Sequence, residues 1–296
     1  MATQLIQWLK PDHADRADLA VLIVSWNVKE LVLQNLQTVY ASQGSIKVEV
    51  IVIDNASEDG TVEAIRAQFP GVRVIANREN VGFSAANTQG MIAMHARHCL
   101  LLNPDMRVEA DTLQKTVEYL DAHPDVGVVG AKLISHEGNI VQHVRRFPTF
   151  ASQLAILLKL PHLFPSIIDG YLARDFDDTR EQMVDSVRGS YFAMHANALE
   201  RCGGLDTRYF IWFEEVDYCK KVHEQGMKVA YVPGIRATDF VGQSFAKRAS
   251  FWKQKQFTRS MVQYFEKWHS WSETFVLKGV RLVVLAGVWM WEAGKK

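Results

Sequence analysis

The sequence has no excess charge of either sign, few cysteines and no long apolar run. Its 33 Lys and Arg balance 33 Asp and Glu, so no overall positive charge favours nucleic acid as a partner. The three cysteines, Cys99, Cys202 and Cys219, form no C-x-x-C pair and no disulfide framework, which favours a reducing, cytoplasmic setting. Because the formal net charge is zero, an anionic ligand must be held by local cations or by a metal ion.

Several classes of protein are disfavoured by motifs that are missing. No stretch reaches the roughly 18 apolar residues of a membrane span, and the N-terminal residues lack the apolar core of a secretory signal. No G-x-G-x-x-G follows a strand-like segment, which disfavours a dinucleotide-dependent oxidoreductase. The first strand-like segment is followed by Ser25–Val28, not by the Gly-rich basic loop that a nucleotidyltransferase making sugar nucleotides would need.

Short apolar runs alternate with helix-like segments through the first third of the chain. The apolar runs are Ala20–Ser25, Val48–Ile53, Val72–Ala76 and Cys99–Leu102, and the helical segments between them are Lys29–Ser42, Thr61–Phe69 and Ser84–Arg97. Runs that are apolar on both faces are typical of strands buried in a parallel sheet. The alternation therefore predicts a doubly wound α/β sheet, which binds ligands beyond the carboxyl ends of its strands.

The pattern is less regular after Asp105. The predicted elements are a helix at Asp111–Ala122, a hairpin of Val126–Ile134 and Ile140–Phe147, a strand at Val184–His195, a helix at Phe213–Gln225 and a strand at Lys228–Val232. Between Pro148 and Asp185 the signals are mixed, and we interpret this stretch as a variable helical or loop insertion that covers one side of the ligand site.

Polar residues follow each of the four predicted parallel strands. They are Ser25-Trp26-Asn27, Asp54-Asn55-Ala56-Ser57, Asn77 to Gly82 and Asn103-Pro104-Asp105. A carboxylate such as Asp105 at a strand end suits Mg²⁺ or Mn²⁺, which prefer oxygen ligands and bridge to diphosphates. An ordinary turn would use the same residue types, and Asp59 or Ser57 also suits a helix cap. Asp54 precedes that cap and can accept hydrogen bonds from a pyrimidine ring.

Three carboxylates lie within four residues at Glu214-Glu215-Val216-Asp217. Glu214 and Asp217 are three positions apart on the predicted helix and share a face, whereas Glu215 points elsewhere. Carboxylates at a helix start also complement the helix dipole, so a structural role is an alternative. The preceding aromatic run, Phe210 to Phe213, favours a catalytic role, because desolvation raises a carboxylate pKa toward that of a general base.

Taken in order, these motifs resemble the inverting glycosyltransferases of family 2, which have the GT-A fold. The resemblance is strongest to the rhamnosyltransferase-like branch that builds bacterial surface polysaccharides, and it covers Leu19 to Phe245. The matching segments are VLIVSWN (21–27), VIDNASEDGT (52–61), NRENVGFSAANTQG (77–90), LLNPD (101–105), VDSVRGSYFAMHANALERCGGLD (184–206) and YFIWFEEVDYCKKVHEQGMKVAYVP (209–233). Their order and spacing together are specific to this family.

The resemblance implies a nucleotide-diphosphate sugar donor, a glycan or lipid-linked glycan acceptor, and Mg²⁺ or Mn²⁺ as cofactor. It implies that Glu215 is the general base, with Glu214 and Asp217 beside it, and that Asp105 holds the metal. The residues it implies for donor binding are Ser25, Trp26, Asn27, Asp54, Asn55, Asn80, Gly82, Phe83, Asn87, Asn103, Gly189 and Ser190. The favoured donor is dTDP-rhamnose. The alternatives are a UDP-sugar carrying N-acetylglucosamine or galactose, or a non-catalytic relative that binds nucleotide sugars.

Two departures from the family pattern concern the metal. Asn103 stands where many members have the first aspartate of D-x-D, and Asp239 stands where the family commonly has a histidine. We hypothesise that Asp239 replaces the imidazole as a metal ligand, because oxygen ligands suit both cations. The alternatives are that Asp239 is a surface-loop residue, or that the chain has lost its activity.

The predicted organisation has three parts: an N-terminal extension at 1–18, a GT-A domain at 19–245 and a helical segment at 246–296. The last part is basic and aromatic, then more apolar between Phe275 and Trp291, where Lys278 and Arg281 interrupt it. Such a segment suits a membrane interface, on the cytoplasmic face of the inner membrane. The alternatives are packing on the GT-A domain or on a second subunit, as in a homodimer.

Overall fold

The computed structural model describes residues 16–240 and 250–293 of the chain. These residues form a nine-stranded sheet with helices on both faces. The strands are β1 (Ala17–Ser25), β2 (Val48–Asp54), β3 (Arg73–Ala76), β4 (Ala96–Leu102), β5 (Met106–Val108), β6 (Val126–Ser135), β7 (Gln182–Met183), β8 (Tyr191–Met194) and β9 (Lys228–Asp239). The α-helices are α1 (Lys29–Ala41), α2 (Thr61–Gln68), α3 (Phe83–Ala93), α4 (Thr112–Ala122), α5 (Phe150–Leu157), α6 (Ala196–Cys202), α7 (Glu214–Glu224), α8 (Ser250–Trp268) and α9 (Trp271–Ala293).

The strand order is β3-β2-β1-β4-β8-β6-β9-β5, with β7 beside β9. The four strands predicted as parallel, β1 to β4, are parallel. In the second half of the sheet β6 and β9 are parallel, whereas β8 is antiparallel to both β4 and β6. The predicted doubly wound architecture is confirmed, and β8 joins its two parallel groups.

Alternating residues of the central strands face the two sides of the sheet. Val21 packs with Leu36 of α1 and Leu113 of α4 on one side. The next residue, Leu22, packs on the other side with Met91 of α3 and Val222 of α7. Successive side chains in a strand point to opposite faces, so an uninterrupted apolar run becomes a sheet buried on both sides.

The predicted hairpin is wrong in its second half. Val126–Ile134 lies in β6, and the turn forms, with the Gly138 amide donating to Ser135 O at 2.9 Å. Residues 140–147, however, make only isolated bridges at Ile134↔Ile140 and Arg145↔Ser186. Strand β9 pairs with one edge of β6 along its whole length, and β8 pairs with the other edge at Val128 and Val129, where the end of the return strand would have to lie.

Two further predicted strands have different extents. Val184–His195 forms β8 only at its end, and residues before Tyr191 run irregularly past the sheet edge. The strand predicted at Lys228–Val232 continues through Pro233 to Asp239, with a register shift against β6 at Ala131/Lys132. Asp239 is therefore the buried end of a strand, not a surface-loop residue.

The C-terminal helices pack on the sheet domain. Met261, Tyr264 and Phe265 of α8 and Leu277 of α9 form a buried cluster with Tyr209, Phe213 and Val216. Within this contact the fully buried Asp217 of α7 lies 2.7 Å from Lys267 Nζ and accepts a hydrogen bond from Trp268 Nε1 at 2.7 Å. A buried charge needs such a partner, so this ion pair fixes α8 against α7.

Candidate active site

A cavity of about 280 Å³ opens at the carboxyl ends of β1, β2 and β4. The predicted residues that line it are Ser25, Trp26, Asn55, Asn80, Gly82, Phe83, Asn103, Asp105, Gly189, Ser190, Glu214, Glu215 and Asp239. We call it the donor cavity, after the nucleotide-sugar donor that the resemblance implies for these residues. The structure thus brings together residues that are separated by more than two hundred positions in sequence, because the strand ends meet at one edge of the sheet.

Asn27, Asp54 and Asn87 were predicted in the same site but do not line the donor cavity. Asp54 Oδ2 accepts a hydrogen bond from the Ser57 amide at 2.8 Å. Asn27 has a φ of 53°, and its amide donates to Ser57 Oγ at 2.8 Å. Both residues therefore hold the two loops that form the cavity wall. Asn87 donates to Phe83 O at 3.0 Å, one turn earlier on α3.

Gly82 allows the loop before α3 to lie directly against the chain before α7. Its φ is 88°, and a Cβ placed there would meet Phe210 O at 2.5 Å. The Phe83 amide donates to the same oxygen at 2.7 Å. Only glycine combines this backbone conformation with this close approach. The Gly82 contact thus joins the two halves of the cavity wall.

Asp105 and Asp239 lie side by side at the base of the donor cavity. Strands β5 and β9 pair Met106 with Asp239, and the Phe240 amide donates to Asp105 O at 3.1 Å. Both side chains are buried, and the pKa of Asp105 is raised to about 6 by burial and by the negative charge of Asp239. Arg188 Nη1 lies 3.5 Å from Asp239 Oδ2, and the charges of Arg107 and Arg188 oppose the rise in the pKa of Asp105.

This pair of carboxylates fits a divalent cation. Two adjacent buried carboxylates repel each other, and hard cations with room for further oxygen ligands relieve that repulsion. Residues 16–240 and 250–293 contain no group of three or more His, Cys, Asp and Glu side chains suited to a metal. Sites for Mg²⁺ commonly combine one or two carboxylates with phosphate oxygens and water.

Glu214 and Glu215 follow a strained turn. Trp212 and Phe213 have φ values of 65° and 70°, in the left-handed region that costs about 1–3 kcal/mol for each residue that is not glycine. Helix α8 supports the turn: Ser260 Oγ donates to Ile211 O at 2.7 Å, and the Phe213 ring lies 5.5 Å from that of Phe257. The backbone conformation of this turn sets the direction in which α7 begins, and both glutamates at its start line the donor cavity.

The two glutamates differ in their surroundings. Burial and the charge of Glu215 raise the pKa of Glu214 well above its usual value. Burial also raises the pKa of Glu215, but the nearby Arg188 opposes this shift. Glu214 therefore holds a proton more readily than Glu215, and Glu215 is the better placed of the two to remain an anion.

Asp217 does not belong to the cavity with the two glutamates. Sequence analysis grouped it with them, but the structure places it in the contact between α7 and α8, paired with Lys267. A carboxylate with these partners is not available to a substrate in the donor cavity. We therefore correct its role from catalysis to packing.

Sequence analysis missed several residues that line the donor cavity. They are Val24, Val28, Pro104, Arg188, Phe210, Ile211, Trp212 and Trp252. Among residues 16–240 and 250–293, Arg188 is the only Lys or Arg lining this cavity. The zero net charge predicted that a local cation would hold an anionic ligand. Nothing in the segment VRGS (187–190) distinguishes Arg188 from the other arginines of the chain. Trp252 comes from α8, beyond the predicted boundary of the GT-A domain at 245.

The profile of the family described as "Glycosyltransferase like family 2" matches residues 16–263, most of the chain. The chain belongs to glycosyltransferase family 2. A similar protein is the N-acetylglucosaminyl-diphospho-decaprenol L-rhamnosyltransferase of Mycobacterium tuberculosis, 23% identical over 63% of this chain and 64% of its own length. The chain thus spans less than two thirds of that relative. Rhamnosyltransferase WbbL of Escherichia coli is 22% identical over 82% of this chain and 92% of its own length.

Solved structures of glycosyltransferases share the fold. The mannosyltransferase PcManGT of Pyrobaculum calidifontis, in complex with GDP-Man and Mn²⁺, matches with a TM-score of 0.58 at 19% identity. The match covers 100% of this chain and 82% of the other. The predicted GT-A fold of this family 2 chain is therefore confirmed.

Proposed function

We propose that this family 2 chain is an inverting glycosyltransferase. It transfers a sugar from a nucleotide diphosphate to a glycan or lipid-linked glycan of the cell surface. The observation that carries the proposal is one cavity with the carboxylate pair Asp105–Asp239 at its base and Glu215 in its wall. A diphosphate leaving group needs positive charge, and an acceptor hydroxyl needs a base. The cavity has groups suited to both tasks.

The donor side of the reaction uses the strand-end residues. Ser25, Trp26 and Asn55 line the part of the cavity that we assign to the nucleobase and ribose. Asp105 and Asp239 would hold Mg²⁺ or Mn²⁺, which supplies Lewis-acid stabilisation of the departing diphosphate. Arg188 lies beside Asp239 and can donate hydrogen bonds to diphosphate oxygens, since a guanidinium suits phosphate geometry.

The acceptor side of the reaction uses Glu215. Its carboxylate takes the proton of the acceptor hydroxyl while that oxygen bonds to the anomeric carbon. The bond between that carbon and the diphosphate oxygen breaks, and the nucleotide diphosphate leaves with the electron pair. Attack from the face opposite the leaving group inverts the anomeric configuration. The raised pKa of Glu214 favours a proton on that carboxyl group. In this proposal the negative charge of the pair therefore lies on Glu215.

The favoured donor is dTDP-rhamnose, because two relatives are named as rhamnosyltransferases. The name of the Mycobacterium tuberculosis relative also supports an N-acetylglucosaminyl diphosphate linked to a polyprenol as the acceptor. UDP-N-acetylglucosamine and UDP-galactose are the alternative donors. None of the residues lining the cavity distinguishes these sugars by a contact that the structure shows.

A thermal-shift panel of nucleotide sugars with Mn²⁺ tests the donor. A ligand at 100 times its Kd stabilises the native state by about 2.7 kcal/mol, which raises the melting temperature of a chain of this size by several degrees. We expect dTDP-rhamnose to give the largest shift, and incubation with acceptor to release dTDP. A larger shift with a UDP-sugar would reassign the donor. Binding without release of nucleotide in the presence of any acceptor would support the non-catalytic alternative.

Helix α9 carries an apolar face that we assign to a lipid surface. Trp271, Phe275, Leu282 and Trp289 are exposed and recur on one side of the helix. No helix among residues 16–240 and 250–293 is long and apolar enough to cross a bilayer. Tryptophans on an apolar face, with Lys278 and Arg281 along the same helix, suit an interfacial position on an anionic membrane. The proposal places the enzyme beside a lipid-linked acceptor.

Vesicle flotation tests the lipid surface with point substitutions that leave α8 in place. Phe275 and Leu282 are 62% and 67% exposed, so Phe275→Glu with Leu282→Glu adds two charges to the face without unfolding the protein. We expect this variant to lose most of its flotation with anionic vesicles. The matched control is Ile140→Glu with Met183→Glu, since both residues are 48% exposed and lie outside α9. Equal flotation of the two variants would contradict the assignment.

A further inference from the structure

A second cavity, of about 150 Å³, shares part of its lining with the donor cavity. Glu215, Arg188 and Trp212 line both cavities, so they form the wall between them. A base in such a wall can reach a hydroxyl group that enters from the second cavity while the donor occupies the first. If Glu215 deprotonates the acceptor hydroxyl, the second cavity is therefore in the position where the acceptor must bind.

The charges around the second cavity favour an anion. Arg145 and Arg188 line it, and Glu215 is the only carboxylate in its lining within residues 16–240 and 250–293. Arg145 Nη1 donates to Val144 O at 2.7 Å and to Gln142 O at 3.3 Å. No carboxylate in the described part of the chain forms an ion pair with Arg145. Its charge thus lies half-buried at a cavity wall without compensation, unlike that of Arg146, which pairs with Asp175 at 2.6 Å.

His143 adds an unused hydrogen-bond acceptor to the same cavity. The side chain lines the cavity and is only 4% exposed. Its Nε2 lies 2.7 Å from Ala131 O, which requires the proton on Nε2 and leaves Nδ1 as an acceptor. Nδ1 is buried without a partner. Burial lowers the pKa of His143 to about 4, so the ring is neutral at neutral pH. A buried acceptor without a partner is costly, and a ligand hydroxyl would satisfy it.

Two arginines, the neutral hydrogen-bond acceptor of His143 and four aromatic side chains line the second cavity. The aromatic residues are Tyr171, Trp212, Phe213 and Phe257. We infer that this cavity is the acceptor subsite and that it binds a phosphorylated sugar, with Arg145 holding the phosphate and His143 Nδ1 accepting a sugar hydroxyl. That the bound sugar phosphate is the acceptor of the reaction rests on the proposed function. A free sugar phosphate and a lipid-linked one both carry the phosphate and the sugar hydroxyls that these residues would bind.

Binding of N-acetylglucosamine 1-phosphate to the full chain tests the subsite without requiring turnover. By isothermal titration, we expect Arg145→Met to weaken binding at least tenfold and Arg145→Lys to weaken it less, because lysine keeps the charge. Arg146→Met is the matched control, since it removes the adjacent arginine, which is exposed and does not line the cavity. Unphosphorylated N-acetylglucosamine should bind equally to all the variants.

Transfer assays test whether the second cavity binds the acceptor and not the nucleotide sugar. Arg145→Met should raise KM for N-acetylglucosaminyl diphosphate on a short prenyl chain, and for the soluble sugar phosphate, at least tenfold. KM for the nucleotide sugar should not change. An effect confined to the prenyl-linked substrate would show lipid recognition in place of phosphate recognition and would overturn the inference. Equal affinity of Arg145→Met and Arg146→Met for the sugar phosphate, or no binding by the unmodified chain, would also overturn it. Failure of the proposed function differs from these results, because the nucleotide-sugar panel would then give no shift, or a shift without release of nucleotide in the presence of acceptor.

Discussion

Glu215→Gln is expected to lower kcat for sugar transfer by about 10²–10⁴-fold while the affinity for the nucleotide sugar changes little. Glutamine has nearly the same shape as glutamate but cannot accept the proton of the acceptor hydroxyl at neutral pH. Glu215 lies in the wall between the donor cavity and the second cavity, where that hydroxyl would enter. The measurement is steady-state release of the nucleotide diphosphate, together with donor binding by thermal shift.

Two further variants separate catalysis from folding. Glu224→Gln alters the last residue of the same helix, α7, where the side chain is exposed and pairs with Lys220, and it should leave kcat unchanged. Glu214→Gln should cost less than Glu215→Gln, because Glu214 already holds a proton in our assignment. If Glu214→Gln abolishes transfer and Glu215→Gln does not, the two roles are reversed.

The fold near the site could be predicted because it depends on local patterns. The runs that became β1 and β2 are apolar on both faces, which only a strand covered on both sides can bury. Once the strands are parallel, their carboxyl ends share one edge of the sheet. Residues as distant as Ser25 and Asp105 must then meet there.

The predictions that were wrong or incomplete depended on contacts between residues that are far apart in the sequence. The turn predicted around Gly138 forms, but the local pattern could not show that β8 would pair with the edge of β6 at Val128 and Val129. Asp217 was assigned to catalysis because its neighbours in sequence are Glu214 and Glu215. Its actual partner, Lys267, is fifty positions away on α8. Arg188 was missed for a similar reason, because its importance follows from Asp239 and Glu215 lying on either side of it.

Asp105→Ala is expected to lower transfer by about 10³-fold, or ~4 kcal/mol, because metal stabilisation of a leaving diphosphate contributes several kcal/mol. The substitution also removes one of the two buried cavity-lining carboxylates that we propose as ligands for the cation. Binding of Mn²⁺ itself, followed by electron paramagnetic resonance, should weaken in parallel. This readout does not depend on turnover.

Asp239→Ala tests whether the residue in the histidine position of the family is a metal ligand. Asp239 lies beside Asp105 on the paired strand β9 and is buried in the same cavity, so we expect weaker Mn²⁺ binding and a loss of transfer similar to that of Asp105→Ala. Asp111→Ala is the control, because that carboxylate is exposed, pairs with Lys115 and does not line the donor cavity. If Asp239→Ala binds Mn²⁺ and transfers sugar like the unmodified chain, Asp239 is not a ligand, and Asp105 alone supplies the protein's carboxylate. If its Mn²⁺ affinity is unchanged but transfer falls, Asp239 acts through Arg188, the cation with which it pairs at 3.5 Å.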